Sequence, residues 1–465
     1  MPTVLASDWL SNNASSTVTI PSALNWPSKY GSQVSLKWQP AGKYKGDINY
    51  DPFTSAECLA CLNNKIYIAA TGNDTTGVGS IANPYLTPTK AITVGNATSA
   101  PYSIYMLAGD YKRTVGGATN NIYPTQDCAI VFYGGKVTAG AFDDYTWSQN
   151  TTTFPALIGN SNLWAIARTN LGRIYSVKYC DFGTGLPREY VAVGSVALCN
   201  SQPGTLYTDG TNVYLHPINA EAPTNTNTRV CLNVFTLGMP SIVTPFNFFM
   251  FGVTGGDYME SWGGIYAGYS TLPTVDKVFA VRDVVSMSAN TTAHRNFATD
   301  AWRGLTYFKD CSSAYSTTDS FNFHNSLSSV GCYTLTINCS SLVSGVGSQV
   351  SCNGLTLHED VVSIDVAGEY DLAQGGVVRN INTTKQLLAG TKIKRDRGDI
   401  AQGGAVVPTC VMADDSAQIW MDHVILEPTL SGQRYVSVAA AASVRYKNVD
   451  TSYYSVLNNG IFESY

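Results

Sequence analysis

Residues 67–92 read YIAATGNDTTGVGSIANPYLTPTKAI. A short apolar strand breaks into Gly, Asn, Asp and Thr, crosses a polar loop, and reaches a Pro, an aromatic and a small amphipathic segment. In TPTKAITVG (87–95), Thr87 or Thr89 is placed to cap a brief helix, and Ala91 and Ile92 share one face of it. A helix that short is not stable alone, so the pattern predicts a lid laid over an apolar surface.

The surface it would cover follows from the rest of the chain. Short strand patterns recur after Lys65: KIYIAA (65–70), SIYMLAG (103–109), CAIVFYGG (128–135), LWAIART (163–169), IYSVKYCDF (174–182), VFAVRDVVS (278–286), LTYFKDC (305–311), YTLTINC (333–339), SIDVAGEY (363–370), IWMDHVIL (419–426) and SVRYKN (443–448). Many alternate apolar and polar residues and end beside Asn, Asp, Cys or Ser. Their spacing of roughly 20–30 residues is that of a solenoid. Long helical patterns are absent. The reading is an all-β chain whose strands stack ~4.8 Å apart, with Gly and Asn at the turns and the 87–95 helix covering the first open edge. GTLYTDGTNVYLHP (204–217) interrupts the series; its Asp209-Gly210 centre predicts a β-hairpin inserted into the main body. Residues 1–62 differ in texture, with Trp9, Trp26 and Trp38 among turn residues, and read as a small separate N-terminal element or docking segment, leaving 63–465 as the main domain.

Composition narrows the function classes. The chain has 465 residues, 44% hydrophobic but only 13% charged, against a usual charged share near 25%. Abundant Asn and Thr suit side-chain ladders in place of ion pairs. With a net charge of −5 there is no basic footprint for nucleic acid. No apolar run reaches the ~18 residues of a membrane span, and MPTVLASDWLSNNASS lacks the basic and apolar regions of a secretory signal. Eleven dispersed Cys, with one C-x-x-C at Cys58 and Cys61, predict reduced and mostly buried thiols rather than a zinc site.

The 67–92 stretch, continued by SIYMLAGDYK (103–112), resembles the N-terminal signature of right-handed parallel β-helix proteins of the pectate-lyase-like superfamily. TTDSFNFHNS (317–326), YTLTINC (333–339) and CNGLTLHEDVVSIDVAGEY (352–370) resemble a segment common in β-helical bacteriophage tailspikes, with Ser320 in place of a Gly and Glu359 in place of an Asp. The resemblance implies one right-handed parallel β-helix of about a dozen coils. It implies a virion protein, a homotrimer that binds and often cleaves bacterial surface polysaccharide. The N-terminal element would meet other tail proteins. A non-enzymatic receptor-binding or structural virion protein, and a free-standing polysaccharide lyase, are the alternatives.

The residues themselves suggest where chemistry would lie. Asp319, Asn322, His324, Asn353, His358, Glu359 and Asp360 cluster in the second segment. If Phe321, Phe323, Leu355 and Leu357 face inward, Asn322 and His324 stack outward beside Thr356 and His358, making the two imidazoles neighbours with carboxylates at the strand ends. Asp319, His324, His358 and Glu359 are then candidates for acid/base work: a carboxylate pair for glycoside hydrolysis, or a His that abstracts a proton α to a uronate carboxylate. The bland alternative is a ladder of Asn, Thr and His that satisfies hydrogen bonds along the stack. Substrate contacts are read at Asn322 and Asn353, at Arg295, Asp300, Trp302 and Arg303, and at Glu260 and Trp262 in a Gly-rich loop. KIKRDRGD (392–399) reads as a solvated basic loop. No cofactor motif appears; calcium is open chemically, but no loop has its ligand spacing.

Overall fold

The computed structural model describes residues 15–465 except 113–122, 141, 170, 181–184, 233–236, 243–245, 272–273, 288–295, 317–318, 328–330, 343–355, 371–377, 396–408, 429–433 and 450–455. The opening stretch folds as its residues dictate. Lys65–Ile68 pairs in parallel with Tyr102–Tyr111. In the turn between them, Asn73 Oδ1 accepts from the amides of Thr75 and Thr76 at 2.8 and 2.9 Å. Asp74 Oδ1 accepts from the amides of Leu86 and Thr87 at 2.8 and 3.1 Å, and Thr87 Oγ1 donates to Asp74 Oδ2 at 2.6 Å. Thr87 also caps the helix Pro88–Ala97, accepting from the Lys90 amide at 3.1 Å. Ala91 and Ile92 are buried in the same cluster as Ile66, Ile104 and Ile130. Gly72 is fixed by close approach, since a Cβ there would lie 2.2 Å from the Tyr85 carbonyl oxygen.

Beyond this point the described residues are mostly strand, with three long parallel stacks visited in turn. The first stack runs through Phe248–Gly252, Lys277–Arg282, Gly304–Lys309, Cys332–Ile337, Val362–Val366, Lys385–Ala389, Gln418–Asp422 and Ser443–Lys447. The second runs from Tyr258–Trp262 through Val284–Met287, Ser312–Ala314, Ser340–Leu342, Glu369–Tyr370 and Lys392–Arg395 to Ile425–Pro428. The third runs from Leu237–Ile242 through Ile265–Tyr269, Phe297–Asp300, Phe321–His324, Thr356–Glu359, Val378–Ile381, Thr409–Ala413 and Arg434–Val438 to Val456–Asn458.

The bend from first to second stack recurs with one left-handed residue per round: Asp283, Asp310, Asn338, Ala367, Gly390, His423 and Asn448, with φ between 51 and 66°. Its amide continues the ladder across the bend; Asp310 N reaches Ile337 O at 2.9 Å and Asn338 N reaches Val366 O at 2.9 Å. Asp and Asn tolerate this conformation best among residues with a Cβ, which explains their recurrence at strand ends.

The interior is apolar at both ends of the stacks, with Ile104, Ile130, Phe248 and Phe279 towards one end and Ile419, Met421, Val436 and Val444 towards the other. Between them polar side chains enter beside Phe308, Phe321, Phe323 and Leu388. Inward positions of the first stack read Thr306, Thr334, Ser363 and Gln386 in one column and Thr336 and Asp365 in the next, all buried. Asp365 accepts from Thr336 Oγ1 at 2.6 Å, Thr391 Oγ1 at 2.5 Å, the Gly368 amide at 3.3 Å and the Tyr370 hydroxyl. Burial raises its carboxyl pKa, against the pull of these donors.

Residues 15–61 lie on the body rather than apart from it. Their three antiparallel strands, Ser15–Val18, Val34–Gln39 and Lys43–Ile48, and the helix Ala56–Cys61 bury Leu36, Ile48, Phe53 and Cys58 in one cluster with Tyr105, Val131, Phe249, Leu305, Leu335, Ile364, Leu387 and Trp420. These are outward positions of the first stack, so its strands are apolar on both faces. Polar ties run along the contact: Gly46 N to Asn338 Oδ1 at 2.8 Å, Lys43 to Glu369 at 2.6 Å and Lys385 Nζ to Ala23 O at 2.9 Å.

The predicted hairpin is present, with Thr205–Thr208 antiparallel to Asn212–His216 around Asp209-Gly210. It belongs to a larger insertion. Trp164–Ala167 pairs with this hairpin, and Leu171–Cys180, Pro187–Glu189, Thr228–Leu232 and Phe142–Asp143 form a second four-stranded sheet. LWAIART and IYSVKYCDF are therefore strands of the insertion and not of the stacks. The basic run corrects likewise: Lys392–Arg395 is a strand, with Lys392 buried and paired to Glu427 at 2.8 Å. The ten cysteines among the described residues are free thiols, all buried except Cys180. Burial pushes the Cys58 thiol up to about 12, so the C-x-x-C is inert packing. No helix among the described residues is long and apolar enough to cross a membrane.

Candidate functional site

The third stack decides which of the expected residues meet. Phe321 and Phe323 point into the apolar interior, so Asn322 and His324 lie on the opposite side of the strand. The next strand is in register as Phe321 beside Thr356, Asn322 beside Leu357 and Phe323 beside His358. His358 therefore faces inward, and the neighbour of His324 is Glu359. The expected outward His–His pair is not formed. The register decides it, since His358 lies beside inward-facing Phe323 and meets Gln386 inside. His358 is buried against Phe323 with ring centroids 5.0 Å apart, and its Nε2 lies 3.2 Å from Gln386 Nε2. Asn380 Nδ2 lies 2.9 Å from Gln386 Oε1, and in this arrangement the Gln386 amide donates to His358 Nε2, while Nδ1 is buried with no hydrogen-bond partner among the described residues. Burial, with a smaller push from His324, lowers the His358 pKa to about 3. His358 is a neutral structural group.

Outside, His324 Nδ1 and Glu359 Oε2 are 2.7 Å apart, both side chains partly exposed. With Nδ1–H committed to the carboxylate, a neutral His324 carries its lone pair on Nε2. Asp300 is in register on the other side of His324, and its carboxylate accepts from Ser326 N at 3.0 Å and Ser326 Oγ at 2.8 Å. Asp300, His324 and Glu359 thus form one outward column. At the adjoining corner Asn382 Nδ2 donates to Glu359 Oε1 at 3.1 Å and to Asp360 Oδ2 at 3.0 Å. Burial works against the Asp360 carboxylate, but Thr383 Oγ1 and N at 2.6 and 3.1 Å, with Asn382, hold its pKa below the ordinary value. Arg379, one column away, pairs with Asp414 at 3.0 Å. Sequence reading missed Arg379, Asp414 and Asn382; VRNIN after an alternating strand was the available signal.

The other expected residues separate. Asp319 and Asn322 are both buried, joined by a 2.6 Å hydrogen bond from Asn322 Nδ2 to Asp319 Oδ2, and serve packing rather than an open groove. Trp302 is interior, packed on Tyr269 and Phe279 with centroids 5.0 and 5.3 Å apart, and its Nε1 donates to Lys277 O. It is no sugar platform. Arg303 turns to Asp276 at 2.9 Å, a carboxylate shared with Lys29 of the N-terminal element. Glu260 and Trp262 lie on the second stack, under the insertion. Arg295 and Asn353 lie outside the described residues. Among the described residues no His, Cys, Asp and Glu group has the geometry of a metal site.

No family model matches the sequence, and no curated protein matches it. Among solved structures, one described as the complex structure of XylC with xylose aligns at 11% identity and a TM-score of 0.47, covering 82% of this chain and 68% of the other. Another, described as a glycoside hydrolase, aligns at 10% identity and a TM-score of 0.41, covering 86% of this chain and 96% of the other. At that level of likeness neither neighbour assigns a reaction to this chain.

Proposed function

We propose that the three stacks form a right-handed parallel β-helix of the pectate-lyase-like kind, and that the chain is a tailspike-like virion protein that binds and cleaves bacterial surface polysaccharide. The observation that carries the catalytic part is the His324–Glu359 contact of 2.7 Å on the outward face, beside Asp300. A carboxylate that fixes Nδ1 directs the basic lone pair to Nε2, which is buried in this structure; once opened to substrate it would take the proton α to a uronate carboxylate while the C–O bond to the leaving sugar breaks and a C=C bond forms. The tailspike-like segment around 317–370 supports the setting. Trimer formation and contact with other tail proteins through the N-terminal element belong to the same proposal, with residues 15–61 using the side turned away from the first stack.

The test is incubation with capsule or lipopolysaccharide from a panel of bacteria. A rise in absorbance near 235 nm that is lost in His324→Ala and strongly reduced in Glu359→Gln supports a lyase. New reducing ends without that rise support hydrolysis by the carboxylates instead. Light scattering that shows a monomer at every concentration counts against the tailspike assignment.

A second reading, a non-enzymatic receptor binder, is favoured by the structural employment of His358, Asp319 and Trp302. Binding to a glycan with no product of either kind would select it.

A further inference from the structure

The seam between the insertion and the body holds a charge that the proposed reaction does not use. The insertion turns Phe142, Tyr175 and Cys231 towards Trp262, Met287 and Ala314 of the second stack, all buried in one cluster. Arg229 enters this seam in register with Tyr175, its side chain only 10% exposed. The guanidinium lies 4.0 Å from the Phe142 ring centroid and 5.5 Å from that of Trp262. Its Nε is buried with no hydrogen-bond partner among the described residues. The carboxylate that faces it, Asp110, is 3.5 Å from Nη1 and nearly half exposed. Arg173, two residues from Tyr175 on the neighbouring strand, shows the contrast: it is closed by Glu189 at 2.6 Å.

An independent feature lies beside it. Thr138 is in register with Asp110 on one side and Glu260 on the other, and its buried Oγ1 also has no partner among the described residues. Glu260 is engaged, accepting from Trp262 Nε1 at 2.7 Å and from Lys136 Nζ at 3.2 Å. A buried guanidinium is unfavourable unless its donors are met, and aromatic faces satisfy its flat sides but not its N–H edge.

We propose that this seam is a binding site for a uronic acid residue. The sugar carboxylate would take the N–H edge of Arg229 in a two-pronged contact and displace Asp110, which repels it. The Thr138 hydroxyl supplies a further donor. The inference rests on the carbohydrate reading above and narrows it to acidic polysaccharide, bound at a place separate from the His324 column.

The experiment is calorimetric titration of the full chain with D-glucuronate, with D-glucose and inorganic phosphate as controls. Glucuronate is expected to bind saturably, and glucose and phosphate not. Arg229→Met should weaken glucuronate by about tenfold or more, the scale of one charge-assisted contact. Arg229→Lys, which keeps the charge but not the fork, should fall between. Asp110→Asn, which removes the charge that repels the sugar carboxylate, should tighten binding. No binding by the parent chain, equal binding by Arg229→Met, weaker binding by Asp110→Asn, or phosphate binding as tightly as glucuronate would each overturn the proposal. His324→Ala separates the two readings. If glucuronate binding depends on Arg229 while no glycan is ever cleaved, the catalytic reading fails and this one stands. If glycan is cleaved while glucuronate binds regardless of Arg229, this one fails alone.

Discussion

Acidification should unload stability through His358 by an amount the structure sets. The imidazole is buried and neutral, with Gln386 donating to Nε2, Phe323 on its face and Thr384 Oγ1 on its own carbonyl at 3.1 Å. A proton on Nε2 would place donor against donor with the Gln386 amide as it stands. The pKa falls from 6.5 to about 3. A depressed histidine contributes stability above its unfolded pKa and loses it as pH falls towards the folded one, because only the unfolded chain takes up the proton. At 1.36 kcal/mol per unit, the loss is about 2 kcal/mol between pH 7 and pH 5, and approaches 4–5 kcal/mol near pH 3. His358→Gln offers Gln386 an acceptor but cannot titrate. Urea unfolding of both proteins from pH 7 to 5 should show the parent losing about 2 kcal/mol more than the variant. Parallel curves across that range would refute the buried-neutral assignment and the inward register with it.

Asp365 should behave with the opposite sign. Its carboxyl pKa is raised, so the stability it gives is complete at low pH and is lost as pH rises; the difference between parent and Asp365→Asn should move in the parent's favour as pH falls from 7 towards 4. Asp74→Ala removes the acceptor for two amides and the Thr87 hydroxyl, and should cost about 1–3 kcal/mol locally, read as faster hydrogen exchange in Pro88–Ala97 with little change elsewhere. Gly390→Ala places a Cβ 2.7 Å from Leu36 Cδ2 and should cost about 1–3 kcal/mol, with part recovered when Leu36→Val is added; additive losses would show that the N-terminal element does not seat there.

The lid and the turns were legible because their causes are local. Gly72, Asn73, Asp74 and Thr87 act within fifteen residues of one another, and each answers to a backbone need that residue type reveals. The Asp and Asn residues at strand ends announced the left-handed bend in the same way. His358 was not legible, since alternation gives two faces without saying which is inside. Gln386, distant in sequence, supplies the polar partner that receives an inward imidazole beside Phe323. Trp302, beside Asp300 and Arg303, and Trp262, in a Gly-rich loop, share one ambiguity: a tryptophan in either setting suits a sugar as well as it suits a core. The full insertion was hidden because its outer pairings are not closed by neighbours in sequence: Phe142–Asp143 finds Thr228–Leu232 some ninety residues on.

The seat of the N-terminal element sets an order of events during synthesis. Leu36 and Tyr44 rest on Gly390, Gly42 meets Lys392, and Tyr44 packs edge-on against His423. These partners leave the ribosome more than three hundred residues after the strands they receive, which at ~5–20 residues per second is a delay of roughly 20–70 s. Throughout that interval the apolar side of Val34–Gln39 and Lys43–Ile48 has only the earlier-made part of its seat, around Tyr105 and Val131, to lie on. The seat is filled in from one end, and its last contacts wait for residues far downstream in the chain.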